Sequence, residues 1–493
     1  MRQRFEQQMT LNTVAIADVE IPLKSRDELP PIVQALKYIF ITPELNEKVF
    51  ELLEKRICSG KKKTGRKGMD LWHILVLAVV RHATNANWDT LHTWSNYHEL
   101  VRLVMGVHSI GFKDIRTEFN YQSILDNVSL LDEAVLREIN QIVVATGHQL
   151  LKKKEDQALS LKTDSYVLET NIHFPTDLNL LWDSSRKCLD MIEKLKLLTG
   201  LKGWRKTGHN RSTLKSLFRR TSQQVFKGKS EAHKKQMVCQ YLEQAEVLSQ
   251  RCRELIKNPP VSVGNEMQVT AILVALKHYL DYADKFIDQI ERRLIKGEVI
   301  PASEKVYSIF EAHTEWITKG KLNKKVELGH LLLITTDQYQ FIVDYKVMEG
   351  QKDQSQISSL LERLKKTLGT TPICSHSFDK GFYSKENLQT LMGSGTEQVI
   401  LPKKGKHNKE DKEREGKWSF KELRKDHSAI ESNINSLEHH GLNRCMDKGL
   451  RGYKRCVGLS VLAYNLHVLG NALQAAERIK EARKEKRRLR LAA

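Results

Sequence analysis

The stretch that decides the fold lies at residues 159–167 and has the sequence LSLKTDSYV. Its side chains alternate along the chain and helix-breaking residues flank it, which predicts a β-strand. This strand follows a long segment of helical periodicity, so we expect a sheet to begin here. One acidic residue, Asp164, lies inside the strand, where a solvated charge has little reason to be.

The segment before this strand, residues 1–150, predicts an all-α N-terminal domain. Its basic run KKKTGRKG (61–68) precedes a helix starting near Asp70, and Gly147 is expected to end the last helix. A helix-turn-helix DNA-binding module and a helical dimerisation domain both fit this pattern. As a DNA-end-binding domain, its candidate phosphate contacts are Lys61, Lys62, Lys63, Arg66 and Lys67.

The segment after the strand, residues 184–297, is again helical and is interrupted at Pro259-Pro260. Between Lys202 and Lys235 it contains eleven Lys and Arg residues and one acidic residue, Glu231. A merely solvated helix would mix the two signs, so the excess predicts a nucleic-acid surface. The alternative is a basic surface that serves only solubility. The candidate DNA contacts are Arg205, Lys206, Arg219 and Arg220.

Strand patterns return after this helical block and then alternate with helices. Strands are predicted at 305–310, 326–335, 340–347, 372–376 and 398–401, and helices at 353–367, 384–392, 419–440 and 449–475. This order predicts an α/β protein with an RNase H-like mixed five-stranded sheet and a large helical insertion after the first strand. The predicted divisions are 1–150 (N-terminal domain), 151–183 and 298–476 (catalytic domain), 184–297 (basic insertion) and 477–493 (basic tail).

The charge and cysteine content narrow the class of protein. Lys and Arg number 80 against 60 Asp and Glu, a formal net charge of +20, which favours a polyanionic partner. Seven cysteines without C-x-x-C spacing argue against a zinc ribbon and a disulfide scaffold and fit a reducing cytosol. The first residues have no apolar run typical of a signal peptide. The apolar residues of 456–476 fall on one helix face, so a buried helix is favoured over a membrane span.

Three carboxylates stand out by their position on the predicted elements. Asp164 lies in the first strand, Asp379 directly follows a later strand, and Glu431 lies on a late helix. Phosphoryl transfer on two divalent metals requires acidic groups that converge from separate elements. Taken singly, Asp379 also fits a helix-cap aspartate and Glu431 a surface glutamate.

Four ordered segments carry a resemblance to a known family. They are TDSYVLETNIHFPTDLNLLWDSSR (163–186), IFEAHTEWITKGK (309–321), FDKGFYS (378–384) and HSAIESNINSLEHHGLNRC (427–445). Together they resemble transposases of bacterial insertion sequences with a DDE active site, in particular the "not classified yet" (ISNCY) group.

This resemblance implies an enzyme that cleaves transposon ends and joins them to target DNA. It implies Asp164, Asp379 and Glu431 as catalytic residues and metal ligands for two Mg²⁺ ions, with Mn²⁺ able to substitute. The implied partners are double-stranded DNA, both terminal inverted repeats and target, and a second copy of the chain in a homodimer or higher multimer. The implied location is the bacterial cytoplasm, at the nucleoid and not the membrane.

One departure from the family pattern concerns the helix that carries Glu431. Many related transposases have Tyr and Arg seven and four residues before the Glu, and Lys or Arg seven after it. Here those positions are Arg424, His427 and Glu438. The cationic contact to the terminal phosphates is therefore expected from elsewhere. Two other functions stay open: a nuclease of the same fold that never joins, and a DNA-binding regulator with a decayed site.

Overall fold

The computed structural model describes residues 2–7, 14–60, 67–107, 117–151, 158–228, 230–261, 264–318 and 325–492. The chain forms two compact units. The first, here called the sheet unit, consists of Met1–Asn171 and Ile317–Ala493, and the second, the helical unit, consists of Ile172–Trp316. The helical unit includes the predicted insertion at 184–297 and extends beyond it on both sides. The boundary predicted at residue 150 does not separate two units.

The described N-terminal part of the sheet unit is helical, as its periodicity predicts. Its helices are α1 (Leu29–Ile41), α2 (Pro43–Ile57), α3 (Leu71–Ala83), α4 (Trp88–Tyr97), α5 (Glu99–Met105), α6 (Tyr121–Val128) and α7 (Glu133–Leu151). The Asn87 side chain caps α4 by accepting from the Thr90 backbone N–H. The prediction that Gly147 ends α7 is wrong. Gly147 lies inside the helix, and its lack of a Cβ leaves room for the Phe341 ring.

Strand β1 (Leu159–Thr170) follows and leads into the helical unit. That unit contains α8 (Asp177–Thr199), α9 (Thr207–Lys227), α10 (Glu231–Lys257) and α11 (Glu266–Ile290). A capping box between Thr176 and Asn179 starts α8, several residues earlier than predicted. The four helices bury their own apolar core, which includes Leu181, Leu189 and Tyr241.

The chain then completes the sheet and its covering helices. The elements are β2 (Glu315–Ile317), β3 (Glu327–Thr336), β4 (Ile342–Met348), α12 (Ile357–Leu368), β5 (Ile373–Phe378), α13 (Lys385–Met392), β6 (Gln398–Ile400), α14 (Lys409–Gly416), α15 (Trp418–Asp426), α16 (Ala429–Leu437), β7 (Arg444–Cys445) and α17 (Gly449–Ala492). Two predictions are wrong here. Residues 305–310 form no strand, and the helix predicted at 419–440 is interrupted after α15.

The strands form one mixed sheet. Its main path is β2-β3-β1-β5-β6, with β4 pairing to β3 and β7 pairing to β1. Strand β1 is antiparallel to β3 and parallel to β5, while β4 is antiparallel to β3 and β6 is parallel to β5. The α/β prediction is confirmed. The described sheet has seven strands and not five, because five of the six predicted strand segments form and the short β2 and β7 join them.

Both faces of the sheet are covered by helices. On one face, Leu159 and Leu161 of β1 share a core with the N-terminal helices and with α12 and α13. On the other face, Leu168 packs with Ile430 and Leu437 of α16 and with the first turns of α17. The alternation of β1 therefore sends successive side chains into two different cores.

Helix α17 connects these layers. It packs against α1, α3 and α7 of the N-terminal part and against α16 and β4. By length and composition alone it is the one described helix apolar enough to span a membrane, but 72% of its apolar window is buried in the fold. This burial is compatible with the core helix of a soluble protein.

The close approach between α1 and α17 generates a stability prediction. A Cβ at Gly470 would collide with the backbone carbonyl of Pro31. Replacing Gly470 by Ala should therefore lower the free energy of unfolding by about 1–3 kcal/mol, since rigid backbone must move apart. Thermal unfolding followed by circular dichroism measures the effect.

The matched control is Gly208→Ala in α9, where nothing lies within 4 Å of the added methyl group. Alanine is the better helix former, so this change should be neutral or stabilising by up to about 1 kcal/mol. Equal effects at the two positions would contradict the packing of α1 on α17.

Candidate active site

The site is built on one face of β1. Along this strand, Lys162, Asp164 and Tyr166 are partly exposed, whereas Thr163 and Ser165 between them are buried. Side chains two residues apart in a strand point to the same face. Lys162, Asp164 and Tyr166 therefore share the face that α16 and the start of α17 cover.

Asp164 lies in β1, and Asp379 directly follows β5, the parallel neighbour of β1. The parallel pairing of β1 with β5 includes Lys162 opposite Ser377 and ends with Thr163 opposite Phe378. Each aspartate follows this last pair by one residue, and the backbone of Asp379 is still extended, with φ −73° and ψ 162°. Neighbouring strands are about 4.8 Å apart, so the two carboxylates emerge close together on one face.

Glu431 approaches this face from α16. Ile430 and Leu437 are fully buried against the sheet, and Glu431 lies on the exposed flank of the same helix. His427 precedes α16 by two residues and Glu438 directly follows it, and both are half-buried, whereas Glu431 is exposed.

Two interactions place the residues on either side of α16 near β5 and β1. The Nδ1 atom of His427 is 2.9 Å from the Ser377 hydroxyl oxygen, beside Lys162 and Asp379. Seven residues beyond Glu431, the negative charge of Glu438 adds to burial in raising the pKa of Tyr166 well above its usual value. Glu431 therefore lies on the helix between these two points, and its side chain is exposed.

His427 is a neutral group in this setting. Burial lowers the pKa of His427 to about 4, Asp379 opposes this shift, and the positive charge of Lys162 adds to it. Its Nε2 atom is buried and has no hydrogen-bond partner among the described residues. His427 thus brings a hydrogen-bonding nitrogen, and no positive charge, to the flank of the two aspartates.

A second histidine supports the strands from the opposite face. The Nε2 atom of His376 is 2.8 Å from the Thr163 hydroxyl, which is 2.7 Å from that of Thr335. This chain of contacts ties β5, β1 and β3 together just below Asp164. Burial, with a smaller contribution from His427, lowers the pKa of His376 to about 3.

The donor set of this face suits a hard divalent cation. Asp164 and Asp379 offer adjacent carboxylate oxygens, the ligands that Mg²⁺ prefers. Among the described residues, no three or more His, Cys, Asp or Glu side chains are arranged to hold a metal ion. Asp164 and Asp379 thus offer two of the oxygen ligands that a divalent cation needs, and Glu431 is not grouped with them in the described structure.

The predicted basic contacts of the N-terminal part are described only in part. Lys61, Lys62, Lys63 and Arg66 lie outside the described residues. Lys67 is exposed and lies 3.4 Å from the Asp70 carboxylate.

The basic stretch of the helical unit is described almost completely. Helix α9 contains no acidic residue, and its buried face is formed by Leu214, Leu217 and Thr221. The candidate contacts Arg205, Lys206, Arg219 and Arg220 are exposed, as are Lys215 and Lys227. None of these six has an ion pair within the described part of the chain.

Other members of this stretch contribute to the fold instead. Arg211 bridges to Asp190 and Glu193 of α8. Trp204 is buried under the Arg251 guanidinium, 4.0 Å from the ring centre. The uncompensated charge is therefore concentrated on the outer face of α9 and the turn before it.

Several residues of the site are missing from the sequence prediction. Lys162, Ser377 and His376 lie within three residues of a predicted carboxylate, on strands that were themselves predicted. Their contacts depend on the register of β1 and β5, which neither strand reveals alone. The available signal is the polar pair His376-Ser377, at the end of a predicted strand and shortly before Asp379.

Comparison of the chain with protein-family models, with curated proteins and with solved structures finds no match in any of the three. A function therefore has to be inferred from the residues themselves and their geometry.

The buried state of His376 generates a prediction about acid stability. Its folded pKa of about 3 lies below the ordinary value of 6.5, so the unfolded chain binds the proton first. The contribution of His376 to the free energy of unfolding is therefore fully present above pH 6.5. It decreases by up to about 1.4 kcal/mol per pH unit as the pH falls toward 3. His376→Gln should remove that part of the slope in denaturant unfolding between pH 7 and pH 5.

The matched control is His233→Gln at an exposed position of α10, which leaves His376 in place. The control should show the slope of the unchanged protein. An identical slope in the His376 variant would show that His376 does not titrate between the two states.

Proposed function

We propose that the chain is a DDE transposase of the bacterial insertion-sequence type, which cleaves DNA at transposon ends and joins the ends to target DNA. The observation that carries the proposal is the juxtaposition of Asp164 and Asp379 at the same level of two paired parallel strands. Two of the three carboxylates selected from the sequence thus each follow the last pair of β1 and β5 by one residue. Glu431 lies on the helix that covers that face.

The sheet topology supports assignment to the RNase H-like fold. Five of the strands have the order β4-β3-β1-β5-β6, and β3 alone is antiparallel to the others. Helix α12 connects β4 to β5, α13 connects β5 to β6, and the helical unit follows β1. Apart from the strand predicted at 305–310, this is the element order that the sequence predicts for an RNase H-like sheet with an insertion after its first strand.

The roles of the residues follow from their positions. Asp164 and Asp379 would hold divalent magnesium, with Glu431 as the third carboxylate. When bound there, such ions activate an attacking water or 3′-hydroxyl and stabilise the leaving oxygen. Because His427 is neutral, it does not replace the arginine that related enzymes have there. Lys162, on the same face two residues before Asp164, supplies positive charge beside the scissile phosphate instead.

The basic surface formed by the outer face of α9 and the turn before it supports a DNA substrate independently of the carboxylates. Six exposed basic side chains without ion pairs in the described structure create a positive strip that neutralises phosphates on binding. Bringing two transposon ends together requires at least two copies of the chain, so we expect a homodimer or larger assembly on DNA.

The direct test incubates the protein with Mg²⁺, a labelled duplex from the DNA that flanks its own reading frame, and a plasmid target. Labelled end joined to plasmid supports the transposase. Cut duplex without joining overturns it in favour of a nuclease, and binding without either product overturns it in favour of a regulator.

The first prediction from this proposal concerns the carboxylates. Asp164→Asn, Asp379→Asn and Glu431→Gln should each reduce cleavage and joining at least about a thousandfold, because each removes a negative metal ligand. Duplex binding in the absence of metal should stay within about threefold of the unchanged chain, because the phosphate contacts remain. Gel assays of cleavage and anisotropy of binding measure the two effects.

The matched control is Glu422→Gln, which removes an exposed carboxylate from α15 without an ion pair in the described structure. Its activity should equal that of the unchanged chain. Near-normal joining by any of the three site variants would remove that residue from the site.

The second prediction concerns the basic strip on and before α9. Replacing Arg205, Lys206, Arg219 and Arg220 by Ala should flatten the dependence of log K on log salt. The slope should fall by about 0.9 for each phosphate that the variant no longer neutralises, up to about 3.6 units. Affinity should weaken for specific and scrambled duplexes alike.

The control changes Lys257, Lys277, Lys285 and Lys296 of the same unit to Ala, which removes the same charge outside the basic strip. A salt slope reduced equally by both sets would assign the effect to net charge. An unchanged slope in the α9 set, with circular dichroism intact, would leave the strip without a role in DNA binding.

A further inference from the structure

The end of α17 extends beyond the fold. Gln474 is the last buried residue of the helix, and every residue from Arg478 to Leu491 is exposed. At about 1.5 Å per residue, these 14 positions form a free helical segment about 21 Å long. Packing within the described chain therefore does not explain why this segment is helical.

This segment, here called the C-terminal arm, is strongly basic. It contains two acidic residues, Glu481 and Glu485, and eight basic residues: Arg478, Lys480, Arg483, Lys484, Lys486, Arg487, Arg488 and Arg490. Lys480 pairs with Glu477, and Arg478 contacts Gln474. In the described structure the six other basic side chains have neither an ion pair nor a hydrogen bond.

The spacing of these charges works against an isolated helix. Arg483 and Arg487, Lys484 and Arg488, and Lys486 and Arg490 are each four residues apart on the helix surface, where like charges repel. An isolated helix of this length is marginal even with favourable pairs. A polyanion along the arm would reverse the sign of this interaction and stabilise the helix.

We propose that the C-terminal arm binds the phosphate backbone of duplex DNA and becomes a stable helix on binding. A duplex carries one negative charge per about 1.7 Å of its axis, and its major groove admits a single α-helix. The arm fits such a duplex because its basic residues are exposed on a single helix with no packing partner in the described structure. The inference requires only that the chain contacts DNA and does not depend on the carboxylate site.

The distribution of apolar residues argues against the other polyanionic surface, an anionic membrane. The arm has three large apolar side chains, Ile479, Leu489 and Leu491. Leu489 and Leu491 are two residues apart and point about 160° away from each other on a helix. A helix lying on a membrane needs one continuous apolar face, which the arm lacks.

The test uses the full chain with Lys484, Arg487, Arg488 and Arg490 changed to Gln, which alters no described contact. Binding to a duplex of mixed sequence, three helical turns long, is measured by anisotropy at several salt concentrations. The slope of log K against log salt should fall by up to about 3.6 units, at about 0.9 per phosphate contact. Far-ultraviolet helical ellipticity should grow on adding duplex to the unchanged chain and not to the variant.

The matched control removes four exposed lysines of the sheet unit, Lys48, Lys55, Lys365 and Lys366, by the same change to Gln. An unchanged slope in the arm variant, or an equal change in the control, overturns the proposal. The proposal is overturned in favour of a membrane if vesicles containing phosphatidylserine bind the unchanged chain but not the arm variant, while the two chains bind duplex DNA equally.

The Asp164→Asn variant separates this inference from the proposed catalytic function. It should lose cleavage and joining and keep the salt slope of the unchanged chain. If the arm variant binds DNA normally, only the proposed DNA binding by the arm is refuted. If the unchanged chain binds DNA without cleaving or joining it, only the catalytic proposal is refuted.

Discussion

The pairing of β1 on both of its edges is the constraint on which the rest of the structure depends. Antiparallel β3 and parallel β5 both hydrogen-bond to the same strand, so its register determines what lies beside Asp164. A shift of one residue against β5 would move Asp379 to a different level and send its side chain to the opposite face. The hydroxyl and imidazole contacts among Thr163, Thr335 and His376 hold that register from below.

Burial on both faces makes this register costly to change. The helices of the N-terminal part pack on one face and α16 with α17 on the other, and α17 contacts both groups. Buried charges connect the same parts: Arg81 of α3 donates to Asp447, which also accepts from Arg455 of α17. Leaving either side of such a buried pair without its partner is strongly destabilising. The N-terminal helices are therefore part of the platform that carries the candidate active site.

Local pattern is sufficient to predict the strands on which the two aspartates depend. Strands β1, β3, β4, β5 and β6 lie close to their predicted positions because each combines alternation with clear flanking breaks. Predictions fail where a distant contact decides the outcome, as at Gly147, which continues a helix and leaves space for Phe341. The environment of His427 depends on the register of two strands and a helix, which no single segment contains.

The central claim is that Asp164 and Asp379, with Glu431, hold the metal ions of a DNA-joining site. The most direct measurement is anomalous diffraction from crystals of the full chain grown with Mn²⁺ and an end duplex. The account predicts manganese peaks in contact with both aspartates, at the DNA backbone, and with the Glu431 carboxylate drawn in. The account would be contradicted if, at saturating Mn²⁺, manganese peaks appeared elsewhere on the DNA or the protein and none appeared at the two aspartates.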